Sequence, residues 1–129
     1  MSYLAKARFR TAFGACAFTF CLAVTMAIAR GAEVTYALHI ESGHVPENMR
    51  LIRVKQNDFV RLQWTADKPS IVHLHGYDIE KNVVPGAVTD LTFTARATGR
   101  FAVNLHGGGG GAGGHGHEDT LVTIEVYPQ

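Results

Sequence analysis

The sequence predicts an all-β fold, a Greek-key β-sandwich of about seven strands, and three observations carry that prediction. Short runs in which apolar and polar residues alternate recur along residues 34–128, and a period of two marks strands with one buried face. Turn dipeptides and glycines separate these runs at roughly 8–12 residues, the spacing of sandwich strands. Helical periodicity is almost absent, so nothing in the pattern calls for a helical layer.

The elements follow in order. Val34, Tyr36, Leu38 and Ile40 alternate with Thr35, Ala37 and His39 to make a half-buried first strand. Met49, Leu51 and Val54 open a second run that ends at the turn pair Asn57-Asp58. Phe59, Val60, Arg61, Leu62, Gln63 and Trp64 alternate with a basic or polar face, and Asp67-Lys68-Pro69 makes a loop. Residues 70–75 form the next strand, and Pro85-Gly86 is a strong turn. Leu91 and Phe93 alternate with threonines, Gly99 breaks the chain before Phe101, Val103 and Leu105, and residues 121–126 close the domain.

Charge divides the chain in two. Lys6, Arg8 and Arg10 lie in the first ten residues, and no acidic residue precedes Glu33. From Arg30 onward nine basic residues stand against eleven acidic ones, and this part holds all seven histidines. A formal net charge of +1 gives no basic face for nucleic acid. The first 29 residues resemble a secretory signal peptide: a cationic start at 4–10, an uncharged apolar run at 11–28, and the small-x-small ending Ala27-Ile28-Ala29. The preferred reading is cleavage and export to a periplasm or similar extracytoplasmic space. The alternative is a retained anchor, because 18 apolar residues just span a bilayer, and the protein is expected to touch a membrane only in that case. Cys16 and Cys21 lie too deep in the apolar run for a lipoprotein signal. The domain at 30–129 therefore contains no cysteine, hence no disulfide and no thiolate ligand or nucleophile.

One segment is low in complexity: residues 107–116 contain eight glycines, with Ala112 and His115 as the exceptions. It reads either as a tolerated surface insertion or as a loop able to wrap close to an ion, since His106 precedes it and His115 and His117 lie at its end. His73 and His75 stand two apart on a predicted strand, so both project from one face while Val72 and Leu74 face the core. If the strand ends meet at one pole of the sandwich, five imidazoles gather there: His73, His75, His106, His115 and His117. Imidazole suits copper, zinc, nickel and iron(II), with Cu(II) bound most tightly among divalent ions. The alternative is a hydrogen-bonded core histidine at 73 with the rest solvated. His39 and His44 read more readily as solvated residues. Asp78, Glu80, Glu118 and Asp119 are placed in sequence to orient imidazoles, although such carboxylates are more often plain surface charges.

Taken together, the run Arg53-Val54-Lys55-Gln56-Asn57-Asp58-Phe59-Val60-Arg61-Leu62-Gln63-Trp64, then His73-Leu74-His75-Gly76-Tyr77-Asp78, Pro85-Gly86, Phe93 and Gly99-Arg100-Phe101, resembles a cupredoxin-type domain over roughly residues 34–128. Ile71-Val72-His73 followed by Pro85-Gly86 is similar to the copper-binding arm of cytochrome oxidase subunit II and related cupredoxins, with His73 at the first copper histidine. His75-Gly76 is similar to the His-x-His-Gly motif of multicopper oxidases. The resemblance implies the sandwich fold and a metal pole. The chain departs from the family where a blue-copper domain carries its cysteine: Leu105 or His106 stands there. His115 or His117 matches the loop histidine, and no methionine follows Met49. Without thiolate the blue chromophore and the usual electron-transfer tuning are lost, and a two-copper centre built on cysteines is excluded.

The leading expectation is an exported protein that binds copper, or zinc or another divalent metal, for carriage, buffering or resistance. Its partners would be the metal ion and a periplasmic or membrane protein, and it is not expected to be an enzyme. Neutral imidazole is required, so binding weakens as pH falls below roughly 6.5. A metal-free interaction or structural module is the alternative reading. A metal-dependent enzyme, with water activated at an open position, comes third, because no general base or Ser-His-Asp pattern is evident.

Overall fold

The computed structural model describes residues 30–106 and 119–129. The expected signal peptide at 1–29 and the whole glycine-rich segment at 107–116, with His115, His117 and Glu118, lie outside the described residues.

Eight strands form two sheets: β1 (Glu33–Ile40), β2 (Leu51–Lys55), β3 (Phe59–Ala66), β4 (Ser70–Leu74), β5 (Ile79–Val83), β6 (Thr89–Thr94), β7 (Gly99–His106) and β8 (Asp119–Tyr127). A short 3-10 turn over Glu47–Met49 leads into β2. One sheet has the order β1-β3-β6 and the other β2-β8-β7-β4-β5. β1 lies parallel to β3 and β2 parallel to β8, while the remaining pairs are antiparallel. The chain thus crosses between the sheets at every connection except β4 to β5 and β7 to β8, which are neighbours in the large sheet, and the two sheets close over one core.

The alternation seen in the sequence decides which side chains meet. Leu38 and Ile40 of β1, Val60, Leu62 and Trp64 of β3, and Leu91 and Phe93 of β6 point inward from the small sheet. Val72 and Leu74, Val103, Val122, Ile124 and Val126 meet them from the large one. Burying each large aliphatic or aromatic side chain contributes about 1.5–3 kcal/mol. A β-bulge falls between Val103 and Asn104, where β7 skips Leu121 of β8. Leu121 and Val122 are consecutive yet both buried, which the two-residue period forbids in a regular strand and the extra bulge residue permits. Strand β5 has no counterpart in the predicted run of seven. Only Val83 of its five residues is buried, so it carries no alternation to read.

The predicted turn at Asn57-Asp58 is held by a buried carboxylate. Asp58 Oδ1 accepts from the Ala32 amide at 2.8 Å and Oδ2 from the Lys55 amide at 2.9 Å. Asn57 takes a positive φ of 70°, a conformation that asparagine tolerates better than most residues.

On the outer face of the large sheet, Glu125 gathers three donors. Its Oε2 accepts from the Tyr127 hydroxyl at 2.6 Å and Arg53 Nε at 3.1 Å, and Oε1 accepts from Arg100 Nε at 3.0 Å. The Tyr127 hydroxyl first, then the two guanidinium groups, hold the Glu125 carboxyl down at about 2. A depressed carboxyl stabilises the fold above its unfolded-state value, near 4.5, and that contribution is lost as pH falls through about 2. Both arginines are mostly exposed, at 65% and 73%, so solvent screens the effect. Glu125→Gln is expected to lose less stability than wild type between these two pH values. Urea midpoints at a series of pH values check this, and parallel acid limbs would contradict it.

Candidate metal centre

The site is built on β4 and β7. Val72 and Leu74 are fully buried, so the alternation turns His73, and His75 just beyond the strand, to the opposite, outer face of the sheet. The His75 amide donates to Ala102 O at 2.9 Å, which continues the pairing with β7 past the end of β4. On β7, Asn104 is the partner of His73 and His106 the partner of Ile71. His106 is thus the diagonal neighbour of His73 on the same face, a position within reach of long side chains.

The three rings converge. Ring centroids lie 4.3 Å apart for His73 and His75, 5.1 Å for His73 and His106, and 6.2 Å for His75 and His106. His73 Nδ1 stands 3.3 Å from His106 Nε2. One ring nitrogen from each of the three histidines falls within 4.8 Å of the others. Two nitrogens bound to one ion at 2.0–2.1 Å and at the tetrahedral angle stand about 3.3–3.4 Å apart. The His73–His106 pair already has that separation, and a His75 nitrogen lies within 4.8 Å of both. Three imidazoles and no thiolate make a donor set suited to Cu(II), zinc, nickel or iron(II).

Beside the pair, Asn104 is buried, and its Oδ1 accepts from the Thr120 hydroxyl at 3.0 Å. The turn after His75 is pinned by Tyr77, whose ring lies 4.7 Å from Phe93 of the small sheet and 5.0 Å from Phe101 of β7. At the far side of the turn, Asp78 Oδ1 lies 3.5 Å from His73 Nε2.

Three of the five histidines singled out in the sequence come together, His73, His75 and His106. They do so on the outer face of the large sheet, where His106, the last residue of β7, lies diagonal to His73. The end of β7 and the start of β8 lie side by side there, Leu105 paired with Asp119, while His115 and His117 lie outside the described residues. His39 is elsewhere, on the outer face of the small sheet, with Nδ1 2.8 Å from the Thr65 hydroxyl. His44 closes a tight turn with Glu41. Asn104 was not foreseen; no motif marks it, and its place follows from strand pairing alone. Met49 packs against the core and is not directed to the histidines.

No protein-family model and no curated protein matches the chain. Solved structures do. The chain is similar to the periplasmic domain of subunit II of cytochrome oxidase from Bradyrhizobium japonicum, at 16% identity and a TM-score of 0.59, over 75% of this chain and 86% of that one. It is similar to a copper-binding protein solved in the apo form, at 13% identity and a TM-score of 0.55, over 75% and 90%. It is also similar to the copper nitrite reductase of Nitrosomonas europaea, at 18% identity and a TM-score of 0.54, over 75% of this chain and 42% of that one.

Proposed function

Proceeding from the cupredoxin-like fold that these likenesses establish, we propose that the chain is an exported protein that binds copper, or another divalent ion, through His73, His75 and His106. Its role is carriage, buffering or resistance. The observation that carries this reading is the cross-strand approach of His73 Nδ1 to His106 Nε2 at 3.3 Å, with a third imidazole in the same group. Copper is favoured among the ions by its affinity for imidazole and is supported by the names of the similar structures. An extracytoplasmic location is supported by the apolar N-terminal run and by the likeness to a periplasmic domain. No helix among the described residues is long and apolar enough to cross a membrane.

Carriage in place of catalysis suits a site of three half-buried imidazoles on the outer face of a sheet. Ligands of an acceptor protein can approach such a site and take the ion by stepwise exchange, whereas electron transfer relies on the thiolate that this domain lacks. Elemental mass spectrometry on protein exported to a periplasm and purified without chelators tests the reading. About one copper per chain is the expected result, and one zinc would keep the site but change the ion. A chain that stays metal-free after incubation with Cu(II) and gel filtration is instead an interaction or structural module.

A further inference from the structure

The two ring nitrogens of His73 face different groups. Nδ1 is turned to His106 Nε2 at 3.3 Å, and Asp78 Oδ1, on a fully exposed side chain, lies 3.5 Å from Nε2. A neutral imidazole carries one proton, and which nitrogen holds it is set by the partner of the other. An ionised carboxylate only accepts, so Asp78 favours the proton on Nε2 and leaves the Nδ1 lone pair bare toward His106. We infer that Asp78 is a positioning residue: it selects the Nε2–H tautomer of His73 and thereby presents Nδ1 as the metal-binding atom.

The backbone delivers this carboxylate deliberately. Asp78 takes a positive φ of 54° and Gly76 one of 85°, and Tyr77 between them is clamped by Phe93 and Phe101. Aspartate is among the few side chains that tolerate that region, so the residue satisfies the turn and supplies the acceptor at once. Asp78 faces the His73 nitrogen that is turned away from His106, which gives it the place of a partner to a ligand. In the ion-free protein His106 Nε2–H then donates to His73 Nδ1. An ion held by both nitrogens would require His106 to carry its proton on Nδ1 instead, with the Nε2 proton passing to solvent and one taken up at Nδ1. Carboxylate–histidine–metal pairs of this kind raise ligand basicity and fix ring orientation.

This inference rests on the metal reading of the site, and its test runs without metal. Long-range ¹⁵N–¹H correlation spectra of the ion-free protein at about pH 8 report the tautomer of His73 directly. The wild type is expected to show the Nε2–H form. Asp78→Gly keeps the positive φ and deletes the acceptor, and is expected to populate the Nδ1–H form. Asp78→Asn, which keeps a weaker acceptor at a tolerated φ, returns toward wild type. Glu80→Gln, at the β5 partner of His73, leaves the ring unchanged. Titration of the same proteins with Cu(II) is expected to show about tenfold weaker binding for Asp78→Gly. An Nδ1–H tautomer in the wild type, or identical His73 ring shifts in wild type and Asp78→Gly, overturns the role of Asp78. A wild type that shows the expected tautomer but takes up no Cu(II) overturns the metal reading and leaves only the tautomer assignment standing.

Discussion

Replacing His73 and His106 together with alanine is expected to weaken Cu(II) binding by at least about 100-fold. The pair supplies the two nitrogens that already stand 3.3 Å apart, so the variant keeps one imidazole of three and loses the chelate. The effect has a second readout. An ion that binds only the native state raises its stability by about 2.7 kcal/mol at 100 times Kd, and 1 kcal/mol moves the melting point of a domain this size by about 4–8 °C. Wild type should therefore gain at least about 10 °C with excess Cu(II), and the double variant almost nothing. All three imidazoles are partly exposed, not core residues, so truncation leaves the ion-free melting point nearly unchanged and separates lost binding from lost folding. His75→Ala is expected to cost less than the double change, because the close pair survives. His39→Ala/His44→Ala should bind like wild type, since neither belongs to the cluster. Isothermal titration together with thermal unfolding checks all four proteins. Equal affinity in wild type and His73→Ala/His106→Ala would place the ion elsewhere.

That comparison also marks what the sequence could and could not convey about the site. The shared face of His73 and His75 was legible, because it depends only on the two-residue period and on the apolar residues that flank them. The company of His106 was legible as composition but not as geometry. His106 is 31 residues from His75, and their approach depends on the strand order β2-β8-β7-β4-β5, which no local pattern encodes. The direction of pairing matters equally: antiparallel β7 and β8 bring the end of one beside the start of the other, with Leu105 opposite Asp119. β5 was missed for a related reason: Glu80, Lys81 and Asn82 are all exposed, so an edge strand with one core contact looks like a loop. By contrast, the strands that alternate cleanly, β1, β3 and β6, were legible because burial on one face is what selected their residues.

The turn that follows the histidine strand carries the second large effect, and it shows how the core reaches the site. Gly76→Ala is expected to destabilise the protein by about 3 kcal/mol, from two separable causes. Holding a non-glycine residue at φ of +85° costs roughly 1–2 kcal/mol. The added methyl would lie 2.7 Å from Phe101 Cδ1 and 3.0 Å from Cε1, an overlap worth about 1–3 kcal/mol in a packed setting. Phe101 cannot simply yield, because Tyr77 packs against its ring and is itself held by Phe93. A fall of about 12–24 °C in melting point follows for a domain this size. Pairing the change with Phe101→Leu divides the two causes: Gly76→Ala should cost less in that background than in wild type, and the remainder is the backbone term. Urea unfolding of the four proteins measures the coupling. A Gly76→Ala protein as stable as wild type would mean that the turn shifts freely. The turn would then not hold His75 and Asp78, which flank Gly76 and Tyr77, in register with His73. If instead the cost appears and Cu(II) affinity falls with it, the aromatic clamp between the sheets is what keeps the histidine face assembled before any ion arrives.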